Sequence, residues 1–277
     1  MIRGLKLFLL AVTISIVSVL YLDAAEPVTV YYSDEGKFTV PLGKSYNYSD
    51  VYVSRVIDGD TIKLENGQMV RYIGIDTPET RRREGEVWVY KPDVYGEEAT
   101  EFNRRLVEGK LVRLEFDVEK KDKYSRLLAY CFVGDTFVNA KILEEGYGLL
   151  YTFSPNVKYV DMLVKLQQEA RQNNRGLWGV RPVISAKAAR SYVDKIATVE
   201  GKVSSIRQSG RVAVLSFGQS GFKVAIFKED FPAFMSSGVS IPKYYKGRTV
   251  RVTGKVKIYR NDAEIIVRHP SAIEIIY

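Results

Sequence analysis

The sequence predicts a mainly β protein with helices (α+β): a small barrel with helices packed on it, then a second small barrel. Two observations carry this. Short alternating apolar runs separated by turn residues recur from residue 51 to the C-terminus. Stretches of helical period are few and fall between those runs. Charge points instead to a partner: residues 183–277 hold 16 basic and 7 acidic side chains, a net of +9, whereas residues 1–182 sum to −1, which suits a polyanion, nucleic acid or an anionic membrane surface, at the C-terminal third. With 46% apolar and 27% charged residues, there is enough apolar surface for packed cores. One cysteine, Cys131, excludes a disulfide framework, and its place on an apolar run suits a core position. With that one cysteine and one histidine, His269, no Cys/His zinc cluster can form within a single chain. Hydrolytic chemistry would then run on carboxylates, arginines, lysines, hydroxyls and a hard cation.

At the N-terminus, a short basic segment (Arg3, Lys6) precedes an apolar run from Leu7 to Leu22 and then Asp23-Ala24-Ala25. Residues 1–25 therefore read as a secretory signal peptide, or as an N-terminal membrane anchor if uncleaved. Both readings place the folded part outside the cytoplasm, secreted, periplasmic or tethered. Residues 26–49, rich in Tyr, Ser and Gly with little periodicity, read as a linker or arm.

Residues 50–181 follow as the first domain. Val51 to Ile57 alternates as a strand and turns at Asp58-Gly59-Asp60 into a strand over Thr61 to Leu64. Glu65 to Gln68 supplies the next turn, and Met69 to Ile75 a third strand. Arg81 to Pro92 reads as a rim loop. Gly96 to Glu108 reads as a helix with Ala99, Phe102 and Leu106 on its apolar face and Gly109 as its stop. Leu111 to Phe116 and Leu127 to Phe132 read as strands, Val138 to Glu145 as a short helix. A longer helix runs to Asn174, capped by Ser154 or Asn156.

Carboxylates gather at two adjacent strand ends: Asp58 and Asp60 on one turn, Asp76 and Glu79 after the next strand. Such oxygen ligands suit Ca²⁺ or Mg²⁺, although Asp-Gly-Asp also occurs in turns for backbone reasons alone. Arg71 and Arg126 would either clamp a phosphodiester or form surface salt bridges. Arg71 lies five residues before Asp76, so an ideal strand would face them oppositely; a bulge or bend is needed to aim both inward.

Val56-Ile-Asp-Gly-Asp-Thr-Ile62, Arg71-Tyr-Ile-Gly-Ile-Asp-Thr-Pro-Glu79 and Asp122-Lys-Tyr-Ser-Arg-Leu-Leu-Ala-Tyr130 resemble the three signature segments of the staphylococcal nuclease (thermonuclease) family. Tyr95 to Ala99 and Asn174 to Trp178 fit it in the same order. The resemblance implies a five-stranded OB barrel and a calcium-dependent endonuclease acting on DNA and RNA, with little sugar specificity, leaving 3′-phosphate ends. By position, Asp60, Asp76 and the Thr77 carbonyl resemble the calcium ligands and Asp58 the carboxylate behind them. Glu79 resembles the residue that activates water, and Arg71 and Arg126 the phosphate-binding arginines. Lys123, Tyr124 and Tyr151 fall where the family contacts the nucleotide. Phe153 stands where a second tyrosine is expected, and Ser125 where a glycine precedes Arg126. The competing reading is a non-catalytic nucleic-acid-binding protein on a nuclease-like barrel.

Residues 182–277 read as an OB-like nucleic-acid-binding domain. A connecting helix is expected over residues 183–195, a short helix over Phe231 to Ser237, and strands over Thr198–Ile206, Val212–Phe217, Phe222–Phe227, Thr249–Tyr259, Glu264–Val267 and Ala272–Ile276. Five or six strands fit a small Greek-key barrel. Val250 to Ile273 resembles bacterial OB-fold nucleic-acid-binding domains. Tyr244, Tyr245 and Tyr259 among Lys243, Lys246, Arg248 and Arg260 suit base stacking beside phosphates, preferentially on single strands; equally, the tyrosines suit the barrel core and rim. His269 before Pro270 suits a turn cap. Since all proposed metal, base and clamp residues precede Tyr130, deleting residues 183–277 is expected to spare the rate on short oligonucleotides.

Overall fold

The computed structural model describes residues 37–39, 45–180 and 182–276. The leader and most of the arm lie outside the described residues. Within the stretch read as a linker or arm, Lys37–Thr39 and Ser45–Asn47 pair antiparallel. Residues 1–49 and 50–277 form two separate units.

In the second unit, five strands close the first barrel: β1 (Val51–Asp58), β2 (Thr61–Leu64), β3 (Met69–Tyr72), β7 (Leu111–Glu115) and β8 (Leu127–Val133). β1–β2, β2–β3, β8–β7 and β7–β1 pair antiparallel, and β3 pairs parallel to β8. The strands alternate inward and outward, putting Val53, Val56, Ile62, Leu64, Val70, Leu114 and Cys131 in the core. The third strand expected over Met69–Ile75 breaks after Tyr72 and resumes as β4 (Gly74–Asp76), which pairs with β10 (Leu149–Tyr151). The rim loop is a two-stranded ribbon, β5 (Arg81–Glu84) and β6 (Val87–Tyr90).

Helix α1 (Gly96–Val107) stops at Gly109, φ 73°, as expected. Its buried stripe is Gly96, Ala99, Thr100, Asn103 and Val107, whereas Phe102 and Leu106 are half-buried, so the face sits slightly rotated from the expected one. The strandlet β9 (Thr136–Phe137) leads into α2 (Val138–Glu144). Helix α3 spans Val160–Gln172, and neither Ser154 nor Asn156 caps it. Asn156 instead clasps Glu119, accepting from its N–H at 2.7 Å and donating to its carbonyl at 2.8 Å. The short α4 (Leu177–Val180) ends the first domain region.

Where a connecting helix was expected, the chain forms strand β11 (Val183–Ser185) and a 3₁₀ turn over Ala186–Tyr192. The second barrel comprises β12 (Ile196–Lys202), β13 (Ser205–Gln208), β14 (Val212–Ser216), β15 (Phe222–Phe227), β16 (Thr249–Tyr259) and β17 (Asp262–Ile266). Between β15 and β16 lie α5 (Phe231–Ser236) and α6 (Ile241–Tyr245), and β18 (Ile273–Ile276) pairs with β16. β12 and β13 are two stretches of one strand interrupted at Val203 and Ser204. The first pairs with β16, the second with β14, and β15 pairs parallel to β17. Both barrels thus share the cyclic strand order 1-2-3-5-4, with the third and fifth parallel.

Candidate active site

The carboxylates sit where β1 turns into β2 and where β4 ends. Gly59 lets the two turns touch: a Cβ there would lie 2.6 Å from the Thr77 Oγ1. Thr77 closes the contact, donating its N–H at 2.9 Å and its hydroxyl at 3.2 Å to Asp60 Oδ2. The Thr61 hydroxyl donates to Asp60 Oδ1 at 3.0 Å, and the Asp60 N–H donates to Asp58 Oδ1 at 3.1 Å. Asn103 of α1 buttresses the turn from behind: its amide donates to the Asp58 carbonyl and its oxygen accepts from the Tyr72 hydroxyl, both at 3.0 Å.

The break between β3 and β4 supplies the required bend. Gly74 turns the chain with φ 84°, a value open to glycine without strain. Arg71 and Asp76 then meet: Arg71 Nη2 lies 2.8 Å from Asp76 Oδ1 and Nη1 lies 3.0 Å from Asp60 Oδ2. Nη1 also donates to the carbonyls of Tyr72 and Ile75. One guanidinium therefore ties both strand ends together, using both hydrogens on Nη1 and one on Nη2.

Charge is unbalanced here. Asp58, Asp60, Asp76 and Glu79 share the half-buried Arg71 guanidinium, with Lys255 acting on Asp76 and Glu79 as a second cation. Burial, with the Asp60 charge next, raises the Asp58 carboxyl well above the usual range. Burial likewise raises Asp76 against the pull of Arg71, and raises Glu79 with the Asp60 charge adding to it. For Arg71, burial works against the charged form, yet Asp60 and Asp76 outweigh it and push its pKa up. Among the described residues no three Asp, Glu, His or Cys side chains already converge as a metal cage. The donors are nevertheless hard oxygens in excess of cations, the chemistry that a divalent ion such as Ca²⁺ or Mg²⁺ fits.

Arg126 enters from the neighbouring strand, just before Leu127, which lies opposite Val70. Its Nε holds Asp122 Oδ2 at 2.7 Å, and its N–H donates to Asp122 Oδ1 at 3.0 Å. Asp122 thus fixes the Nε edge of the guanidinium, and the side chain stays 32% exposed. Tyr124 is exposed, with the Lys123 ammonium 5.0 Å and the Arg126 guanidinium 5.7 Å from its ring. Tyr151 is brought beside Gly74 by the β4–β10 pairing.

Sequence reasoning missed what the second barrel brings to this rim. The Arg268 guanidinium lies 4.9 Å from the Tyr151 ring centre and 4.7 Å from that of Phe153, with Nη1 3.5 Å from Asp230 Oδ2. Lys255 Nζ lies 3.8 Å from Asp93 Oδ2, and the Asp93 N–H donates to the Glu79 carbonyl at 2.7 Å. No local pattern marks these residues, because their meaning depends on which surfaces meet.

Among the second-barrel candidates, Tyr245 is 1% exposed and belongs to the core; the spacing of α6 turns it inward. Tyr244 lies beside Arg248, 5.0 Å from ring centre to guanidinium, and Tyr259 beside Arg260 at 5.3 Å, all at the surface with Lys243 and Lys246. His269 caps its turn, Nδ1 accepting from the Ser271 N–H at 3.2 Å.

Residues 69–180 match the family model described as staphylococcal nuclease homologue. The chain is 39% identical over 155 residues to the thermonuclease of Staphylococcus intermedius, covering 53% of this chain and 86% of that protein. It is 37% identical over 160 residues to the SPbeta prophage-derived endonuclease YokF of Bacillus subtilis, covering 56% of this chain and about half (52%) of YokF. To the endonuclease YncB of the same organism it is 38% identical over 154 residues, covering 53% and 71%. With this barrel, these turns and these likenesses, the chain belongs to the staphylococcal nuclease family.

Proposed function

We propose that the protein is a calcium-dependent endonuclease that hydrolyses phosphodiester bonds of DNA and RNA with little sugar specificity and leaves 3′-phosphate ends. The observation that carries this is the knot in which Arg71 spans Asp60 and Asp76 while Thr77 fixes Asp60. Asp60, Asp76 and the Thr77 carbonyl would hold the cation, with Asp58 behind them. When bound, it would supply Lewis-acid stabilisation of the phosphoryl oxygen. Arg71 and Arg126 neutralise the charge that grows on the phosphate, each already oriented by a carboxylate. Glu79 accepts a proton from the attacking water, and Lys123, Tyr124 and Tyr151 hold the flanking nucleotide. A carboxylate is a weak base, so positioning and electrostatics supply most of the rate.

In this proposal the leader directs the chain out of the cytoplasm, cleaved near Ala25 or retained as a tether. Residues 182–277 add affinity for single strands through the exposed pairs Tyr244/Arg248 and Tyr259/Arg260. The test is plasmid degradation with calcium and then chelator. Asp60→Ala, Glu79→Ala and Arg126→Ala should each lower turnover by about 10²–10³. Full activity in excess chelator defeats the metal assignment. Absence of any cleavage by the wild type favours the non-catalytic binding protein.

A further inference from the structure

The ribbon of β5 and β6 grows directly out of the candidate site. Its base is closed by the Asp93 N–H to the Glu79 carbonyl, 2.7 Å, and by the Lys91 N–H to the Thr80 carbonyl, 3.1 Å. Its tip is the two-residue loop Gly85-Glu86, in which Gly85 takes the positive φ, 63°, that such loops require. Register sorts the side chains. Arg81 lies opposite Tyr90 and Arg83 opposite Trp88, so these four share one face; Arg82, opposite Val89, points to the other.

The two faces differ in environment. Arg82 pairs with buried Asp93 and donates to the Asp194 carbonyl of the second barrel at 3.0 Å, which anchors the back of the ribbon. The front is open: Trp88 is 65% and Tyr90 59% exposed, and Arg81 and Arg83 are exposed beside them. Large aromatic surface left in water and interleaved with guanidinium groups suits flat, stackable rings on an anionic backbone. Four-residue strands span about 13 Å, room for a few nucleotides. Near the base, Arg81 and Tyr90 border a groove shared with Arg55, Arg104, Glu97, Glu101 and Glu108, where the charges cancel. The outer pair, Arg83 and Trp88, is therefore the stronger element.

We propose that the Arg81/Arg83/Trp88/Tyr90 face is a binding subsite for a single nucleic-acid strand continuing from the scissile phosphate beside Glu79. Bases stack on Trp88 and Tyr90 while the arginines contact phosphates. The placement relative to cleavage rests on the nuclease reading; the binding itself can be measured without it.

Trp88 is a built-in probe, since Trp178 is the one other tryptophan. Titrating the full chain with octathymidylate in calcium-free buffer should quench tryptophan emission in a saturable way. Trp178→Phe should retain the quench and Trp88→Ala should abolish it. By fluorescence anisotropy with labelled octamer, Trp88→Ala should weaken binding by roughly 5- to 100-fold. Arg83→Gln should lower the salt slope by about 0.7. With calcium, KM for the octamer should rise in both variants while kcat stays, and cleavage of a dinucleotide should be unchanged. Both substitutions are on exposed positions, and matching thermal melts verify that the fold is kept. Absence of quenching in the wild type, or affinity in Trp88→Ala within twofold of wild type, overturns the subsite. Binding and quenching without any cleavage would instead overturn the nuclease reading and leave the subsite standing.

Discussion

Ser125 occupies the left-handed region, φ 66°, in the turn that delivers Arg126. A non-glycine residue there is strained by about 1–2 kcal/mol. Ser125→Gly should therefore raise unfolding stability by about 1 kcal/mol in a urea titration, and Ser125→Val should lower it. The departure from the family pattern was visible in the sequence; that the turn is kept, at the expense of strain, was not. Cys131 behaves as its apolar setting suggested: it is fully buried, and burial pushes its thiol up to about 12. It should stay unlabelled by thiol reagents at pH 8 in the folded protein and react at once in denaturant. Modification in the native state would show that β8 opens.

Among elements, α1 shows both the reach and the limit of periodicity. Its bounds follow from Gly109 and from acidic residues in the first turn with basic ones in the last. Its buried face does not, because a polar residue, Asn103, is fully buried to serve two partners. Asn103→Ala should cost about 1–3 kcal/mol by stranding the Tyr72 hydroxyl and the Asp58 carbonyl. It should also lower kcat through the loosened turn; unchanged activity would separate α1 from the site. The break at Ile73 was readable as a necessity, since Arg71 and Asp76 cannot share a face of a straight strand. The ribbon was unreadable as strands: its alternation is weak and its tip is charged, so it passes for a loop. For Tyr245 the sequence left core and stacking open, because α6 is so short a run that helix and loop look alike; the structure places it in the core.

Across the whole molecule, the alternating runs on either side of residue 182 marked two barrels, and the motifs located the carboxylates and arginines. What the chain order hides is the junction, where Arg268, Lys255 and Arg82 meet partners more than a hundred residues away. Arg171 likewise pairs with Glu274. Deleting residues 183–277 therefore cannot be neutral for the rim: it strips Arg268 from Tyr151 and Phe153 and Lys255 from Asp93. A truncated chain should lose rate on short oligonucleotides as well as affinity for long ones, contrary to the expectation from residue order alone. Asp230 adds a pH signature. Burial raises its carboxyl to about 6, with Arg268 opposing and Glu229 assisting. Being raised, this group contributes stability that is present in full below about 4 and is lost as pH rises through 6, about 2–3 kcal/mol. The stability of wild type minus that of Asp230→Asn should fall by that amount between pH 4 and 7; a flat difference would contradict it.

Arg82 also sets a timescale. A two-stranded ribbon this short is marginal alone, and its back is fastened to a carbonyl, Asp194, that belongs to the other barrel. Opening of the ribbon is therefore coupled to a partner far along the chain. Amide hydrogens of Arg82, Glu84, Val87 and Val89, the residues of the hydrogen-bonded pairs, should exchange slowly in the intact protein. They should exchange faster in Arg82→Ala, while those of β1 to β3 keep their rates. The second barrel thus acts on the front of the ribbon through its back, by governing how long that surface persists between openings.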